Sequence, residues 1–417
     1  MTAVDPKHRE FGKHIAALRK ERKLTQQQLA ASMGKTASWM SQVERGVQPV
    51  ERIDVLQELA DALGVSTQQL RPGAPMPAAA VDAAIEYQSN DLDEARQLIS
   101  GHPAVGTILG VSRIEPAKDL RQLASDVEEM WSLTHQGEFA QVSTRLTALL
   151  PALEQTVRVV ESKQRSEAYL LLARTYQALA AAFARQDESD AAWVAADRAI
   201  WAAERSGDPL HVCAGVYRMV HSFVRLKRLD QAEHAATTAV EALEALDAAK
   251  QLSPSGMSVL GSLYLARALV HARAQSRGAA RAEISKARAV AKRMGDENRN
   301  DFNLEFGSVN VEIQAVATAV ELSDAGEALD IGANIDAESL SNERQGRLLM
   351  DLGRAHAQRR HAGEALRCLL RAEELSPETI RTHHAARQTI RELVLVAGPG
   401  APPELTALAQ RADALTE

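Results

Sequence analysis

Apolar residues recur along this chain at helical rather than strand spacing. Phe11, Ile15 and Leu18 share one face, as do Leu29, Ala30 and Met33, then Met40 and Val43, then Ile53, Leu56, Ala60 and Leu63. Signals that start and stop helices fall between these stretches. Thr25 stands three residues before Gln28, a capping box that satisfies free N–H groups at a helix start. Gly34 ends that helix, because the left-handed cap conformation carries no steric penalty for glycine. Thr36 is placed to cap the next one. Residues 47–52 read as a loop, and Ser66-Thr67-Gln68-Gln69 as a second capping box opening a short helix that ends near Leu70. Five helices are therefore expected within residues 1–71.

The segment Arg71-Pro72-Gly73-Ala74-Pro75-Met76-Pro77 cannot sustain a helix, which places a linker over residues 72–80. Beyond it the pattern is helical nearly everywhere. A small hairpin is expected from 83–89 and 92–99, a loop-rich break over 101–116, and about twelve helices from residue 117 onward. No strand-like alternation of useful length occurs. The expected fold class is all-α, with a helical array over residues 81–417.

Charge divides the chain. Residues 7–45 hold nine Lys/Arg against three Asp/Glu, whereas residues 73–417 hold 37 against 47. A basic head on an acidic body suits phosphate contact at one end only. The two cysteines, Cys213 and Cys368, lie far apart and read as small buried apolar residues in a reducing cytoplasm. No apolar run reaches membrane-spanning length, and a charged helix stands where a signal peptide would.

In the basic head, an inward Met40 and Val43 leave Ala37, Ser38, Ser41, Gln42 and Arg45 pointing outward from the second of two short helices. That arrangement is a helix-turn-helix. The segment resembles the Xre or Cro/phage-repressor type, whose pattern is met by Thr25-Gln26, Leu29-Ala30, Gly34 and Ser41-x-x-Glu44-Arg45-Gly46. Leu18-Arg19 before it and Leu59-Ala60-x-x-Leu63-Gly64-Val65 after it extend the likeness to a five-helix, lambda-repressor-like domain. The resemblance implies that the helix from Thr36 to Arg45 enters the DNA major groove. Gln26, at a helix N-terminus, would bond a phosphate. Gln42 would read adenine bidentately, Ser38 and Ser41 would meet bases or phosphates, and Ala37 would lie against a thymine methyl. Lys35 and Arg45 would bond phosphates, and Arg19 would pair with Glu44 to tie the first helix to the third. Trp39 either packs on a neighbouring helix or reaches the sugar-phosphate backbone. So small a reader implies a homodimer on an inverted repeat of double-stranded DNA, with half-sites about one turn (~34 Å) apart.

The remaining helices repeat. Leu352-Gly353-x-x-His356 followed by Ala365, Leu369, Ala372 and Pro377 has the spacing of a tetratricopeptide repeat, with small residues where paired helices cross. Val316 with Ala328, and Val220 with Ala232, keep the same offset. The array thus resembles a tetratricopeptide-like α-solenoid, which would dimerise and line a concave face with the first helix of each repeat. The repeat's inward positions fall on Asn310, Ile313 and Ala317, then Arg347, Met350 and Arg354, with Tyr217 and His221 before them. Asn310 can donate to and accept from a peptide backbone, or else bond a neighbouring loop. Arg347 and Arg354 can hold a carboxylate, or else form ion pairs within the solenoid. Trp193 and Trp201 read as core residues rather than a ligand cage.

Zinc-protease, P-loop, nucleophile-elbow and paired Cys-x-x-Cys signatures are all missing, and His383-His384 cannot form an i, i+4 metal pair, so neither an enzyme, a cofactor nor a metal is expected. The combination resembles regulators that join an Xre-type reader to a tetratricopeptide-like domain, similar in plan to the peptide-sensing quorum regulators. What this implies is a cytoplasmic, dimeric transcriptional regulator whose repeat domain senses a small ligand, most plausibly a signalling peptide. The alternative is a regulator whose repeat domain is a protein-docking scaffold with no small ligand.

Overall fold

The computed structural model describes residues 6–50, 53–65, 67–70, 90–101, 118–295, 299–336 and 341–415, together with positions 105 and 109. The expected linker, the helix over 83–89, Ser66 of the second capping box and most of the 101–116 break lie outside the described residues. The chain divides into two compact units, Met1–Ala83 with Ala385–Glu417, and Ala84–His384.

In the first unit, five helices follow one another: α1 (Pro6–Glu21), α2 (Gln26–Ser32), α3 (Ala37–Glu44), α4 (Ile53–Leu63) and α5 (Thr67–Leu70). Ile15, Leu29, Ala30, Met33, Met40 and Leu63 meet in one core, with Phe11, Leu18 and Trp39 packed against it. Val43, Val50 and Leu56 form a smaller cluster alongside. Among the described side chains, the apolar faces read from the sequence are the ones that pack into these two clusters.

The second unit opens with α6 (Asp93–Ser100) and continues as helical hairpins. Their first members are α7 (Leu120–Gln136), α9 (Ser162–Arg185), α11 (Pro209–Arg225), α13 (Pro254–Arg273), α15 (Ser308–Glu321) and α17 (Asn342–Gln358). Each is followed by a partner: α8 (Phe139–Val159), α10 (Ser189–Ser206), α12 (Leu229–Ala248), α14 (Arg277–Arg293), α16 (Ala325–Gly332) and α18 (Ala362–Leu375). A short α19 (Pro377–Thr382) ends the series. Among the described residues the only strand-type pairing is an isolated bridge between Arg299 and Phe306.

One turn geometry joins every pair. Gly137, Asp187, Lys227, Gln275, Ser323 and Arg360 all hold a positive φ at the end of a first helix. The N–H that follows each of them reaches back five residues, as in Glu188 to the Phe183 carbonyl (2.9 Å), Arg228 to Phe223 (2.8 Å) and His361 to His356 (2.9 Å). These are Schellman caps, which close the helix and turn the chain back onto it. The crossings are lined by small residues. Val220 and Ala232 are buried in one cluster, Val316 and Ala328 in another. A Cβ on Gly353 would stand 3.3 Å from the Ala365 carbonyl oxygen, so the helices of the last pair approach closely there.

Exposure corrects the reading of Trp193 and Trp201 as core residues. Both indoles are 42% exposed. On α10 the buried face is taken by Ala192, Ala195, Ala196, Ala199 and Ala203, and an interface built on alanine leaves no room for an indole. Trp201 instead lies edge-on to Tyr169, with the Arg205 guanidinium 3.8 Å from its ring centre.

Two further helices, α20 (His384–Ala397) and α21 (Pro403–Arg411), close the described chain and cluster with the first unit. They bury Ile390, Val394, Leu405 and Leu408. Among the described residues no helix is long and apolar enough to cross a membrane.

Candidate nucleic-acid interface and ligand cavity

The turn between α2 and α3 is built as its sequence demands. The Gln28 N–H donates to Thr25 Oγ1 (3.1 Å), and the Thr25 N–H donates back to Gln28 Oε1 (2.9 Å), a complete capping box. Gly34 adopts φ +62°, and the Lys35 N–H closes on the Ala30 carbonyl at 2.8 Å. Thr36 then accepts from the Trp39 N–H at 3.2 Å and starts α3. Met40 and Val43 are buried, which turns the opposite face outward. Trp39 packs on both clusters of the unit rather than standing clear of them.

Lys35, Thr36, Ala37, Ser38 and Arg45 are exposed, and Ser41 and Gln42 half-buried. The Gln42 carbonyl accepts from the Val47 N–H (2.9 Å), whereas its side-chain amide makes no hydrogen bond to the protein. Arg45 Nε rests on the Ser41 carbonyl at 3.3 Å. The face therefore presents one unengaged amide, with the exposed Lys35 before the helix and Arg45 at its end.

A single network fixes this face against α1. Arg19 Nε donates to Glu44 Oε1 at 2.5 Å and Nη2 to Oε2 at 3.0 Å, a bidentate fork, while Nη1 donates to the Leu24 carbonyl at 2.7 Å. Burial pushes the Glu44 carboxyl up, but the bonds from Arg19 and Gln26 outweigh it and hold the group below its ordinary value. Gln26 joins the network through an amide N–H to Glu44 Oε2 at 2.7 Å. One of its two amide donors is thus engaged internally. Gly12 has a role the sequence reading missed. A Cβ there would stand 2.4 Å from the Val43 carbonyl oxygen, so only glycine lets α1 lie directly on the end of α3.

Residues 10–72 match a family described as "Helix-turn-helix domain". This part of the chain is a helix-turn-helix domain. It is similar to the "HTH-type transcriptional repressor RghR" of Bacillus subtilis (strain 168), at 40% identity over 60 residues. That match covers 14% of this chain and 44% of the relative, so the chain spans less than half of the relative's length.

In the second unit, a cavity lies along the first helices of the hairpins. It has two lobes, of about 620 Å³ and 220 Å³, which share Arg185, Arg225, Glu305, Glu343 and Arg347 in their walls. The smaller lobe brings together Tyr217, His221, Asn310 and Arg347, four of the five residues nominated for ligand binding, with Asn303 and Ile313 beside them. Arg354 is the exception. It bonds Asp351 Oδ1 (2.9 Å) and Glu321 Oε1 (2.7 Å), so the ion-pair alternative describes it and it leaves the ligand set. Arg347 stays open to the cavity, with its nearest carboxylate, Asp351, 3.9 Å away. The sequence reading missed Arg218 and Arg225. Arg225 lies one helical turn beyond His221 on α11, so the same i, i+4 rule that links Tyr217 to His221 reaches it.

Burial, with the nearby charges of Arg225, Arg347 and Arg218, depresses His221 to about 3. His383, in the wall of the larger lobe, is likewise held well below its ordinary value by burial and then by Arg347 and Arg225. Both rings are neutral at pH 7, and both sense a local excess of positive charge. Among the described residues, no group of three or more His, Cys, Asp or Glu is placed to hold a metal ion.

Proposed function

We propose that this protein is a sequence-specific DNA-binding transcriptional regulator whose helical-hairpin array senses a small ligand. The observation that carries the DNA half is the outward face of α3. A capped, glycine-turned helix presents Gln42 between Lys35 and Arg45, and the bidentate Arg19–Glu44 fork holds it rigidly. The similarity of the domain to a transcriptional repressor supports the same reading. One such domain makes few base contacts, so the protein acts as a homodimer on an inverted repeat, with the array as the dimerising element. Neither catalysis nor a cofactor enters the scheme, and its place is the cytoplasm.

The sensing half rests on the cavity. Tyr217, His221, Asn310 and Arg347 come from three different hairpins and converge on the 220 Å³ lobe, which shares five wall residues with the 620 Å³ one. The array is best described as tetratricopeptide-like, and a signalling peptide suits a polar cavity in which Asn310 can both donate and accept. Ligand binding would favour one arrangement of the hairpins and so shift the population of DNA-competent dimers. The exposed Trp193 and Trp201 support a second reading, in which the array docks another protein.

Incubating the full chain with a pool of random duplexes, and sequencing what it retains, tests the DNA half. Enrichment of an inverted repeat is expected; recovery without sequence preference would remove the reading.

A further inference from the structure

The charges of the cavity do not balance. Glu305 is bonded by Arg344 (2.8 Å) and Glu343 by Arg185 (2.7 Å), so the two carboxylates of the wall are used. Arg225 bonds Asp187 at 2.9 Å. That leaves Arg218 and Arg347. Arg218 is buried, and its Nη2 reaches only the carbonyl oxygens of Phe302 (3.1 Å) and Asn303 (3.4 Å). Its guanidinium lies 4.8 Å from the Trp131 ring centre, and its Nε has no hydrogen-bond partner. Arg347 shares Asp351 with Arg354, which holds it far more closely. A buried guanidinium without a carboxylate is costly, and an unpaired donor beside it adds to that cost. His221 Nε2, in the same lobe, is also without a partner, and the Asn310 amide makes no hydrogen bond to the protein.

We propose that the smaller lobe is an anion site, where a ligand's carboxylate or phosphate sits between Arg218 and Arg347, with His221 and Asn310 as its hydrogen-bond partners. This names the ligand class for the sensor proposed above and rests on that reading. The anion supplies the counter-charge that two guanidiniums lack. A guanidinium fork binds either oxyanion through paired N–H donors, so the arginines alone do not distinguish them. The larger lobe takes the rest of the molecule, whose other end need not be charged. The ligand also bears on the array's geometry. Arg347 and Asn310 belong to α17 and α15, and Arg218 and His221 to α11, so one anion cross-links helices far apart in the chain.

The test follows thermal unfolding of the full chain with four probes: inorganic pyrophosphate, succinate, succinamide, and an acetylated and amidated tri-alanine. The expected result is a raised midpoint with pyrophosphate, succinate or both, none with succinamide, and at least a roughly tenfold loss of affinity in Arg347→Gln. Pyrophosphate alone would assign a phosphate ligand, succinate alone a carboxylate. Arg347→Lys keeps the charge and loses the fork, so an intermediate affinity is expected; each variant's own unliganded midpoint shows whether it folds. A shift that persists undiminished in Arg347→Gln places the anion elsewhere, for example on the basic helix-turn-helix domain, and overturns the proposal. Stabilisation by the capped peptide and not by the anions overturns the anion site while leaving the sensor reading in place. No shift with any probe overturns the anion site, and the sensor reading falls with it if the low-mass fraction of spent culture medium is equally without effect.

Discussion

Replacing Arg354 with methionine separates a structural arginine from a ligand-facing one. The native guanidinium joins Asp351, whose side chain is 2% exposed, to Glu321, at 2.9 and 2.7 Å. Burial lowers the Arg354 pKa, but Asp351 and Glu321 more than offset this and raise it. Without the arginine, Asp351 keeps only Arg347 at 3.9 Å, whereas Glu321 keeps Arg273 at 2.8 Å. Breaking a buried pair costs about 3–5 kcal/mol, and because one of the two carboxylates retains a partner we expect ~3 kcal/mol. Arg347→Met, at a side chain 45% exposed with no close ion pair, should cost less than ~1 kcal/mol. Urea unfolding monitored by circular dichroism, fitted to the transition of the array, measures both. Equal losses in the two variants, within about 0.5 kcal/mol, would refute the division of roles.

The central network makes a second prediction. Glu44→Gln should destabilise the helix-turn-helix unit by ~1–3 kcal/mol at pH 7. The Glu44 pKa is depressed, so the native advantage is present above the ordinary value of 4.5 and lost as pH falls below it. The gap between variant and wild type should therefore close in acid, and a constant gap would argue against the charge. His221 predicts an acid slope in the second unit. Its folded pKa of about 3 lies below the ordinary 6.5, so stability is intact above 6.5 and declines as pH falls toward 3. One such histidine contributes up to ~1.4 kcal/mol per pH unit across that window. His221→Asn should flatten the slope measured by denaturant titration, and an unchanged slope would contradict the assignment.

Local chemistry was legible in the sequence. The Thr25–Gln28 box, the Gly34 turn and the Thr36 cap each depend on residues within one helical turn, and each has the hydrogen bond its pattern implies. The Arg19–Glu44 pair is not local, and the family resemblance supplied it. The helical pairing was visible through the small residues at the crossings, but its turns were not. Asp187, Lys227, Gln275, Ser323 and Arg360 hold the left-handed conformation that glycine holds at Gly137, and nothing in those residue types announces it.

The cavity shows the same division. Tyr217, His221, Asn310 and Arg347 follow from spacing on first helices, because α11, α15 and α17 each turn a face to the smaller lobe. The fate of Arg354 did not follow, because it depends on Glu321, which lies 33 residues earlier on another helix. Trp193 and Trp201 failed for a different reason. Residue type suggested a core, but at crossings this close the core is alanine, and bulk is displaced to the surface.

The most direct test of the account is selection of binding sites from random duplex DNA by wild type and Gln42→Ala in parallel. The account predicts that wild type enriches an inverted repeat with half-sites about one helical turn apart. In Gln42→Ala one base position in each half-site should lose its preference, at a cost of about 1–3 kcal/mol per half-site, while the rest of the motif is kept. An identical motif from both proteins, or no motif from either, would contradict it.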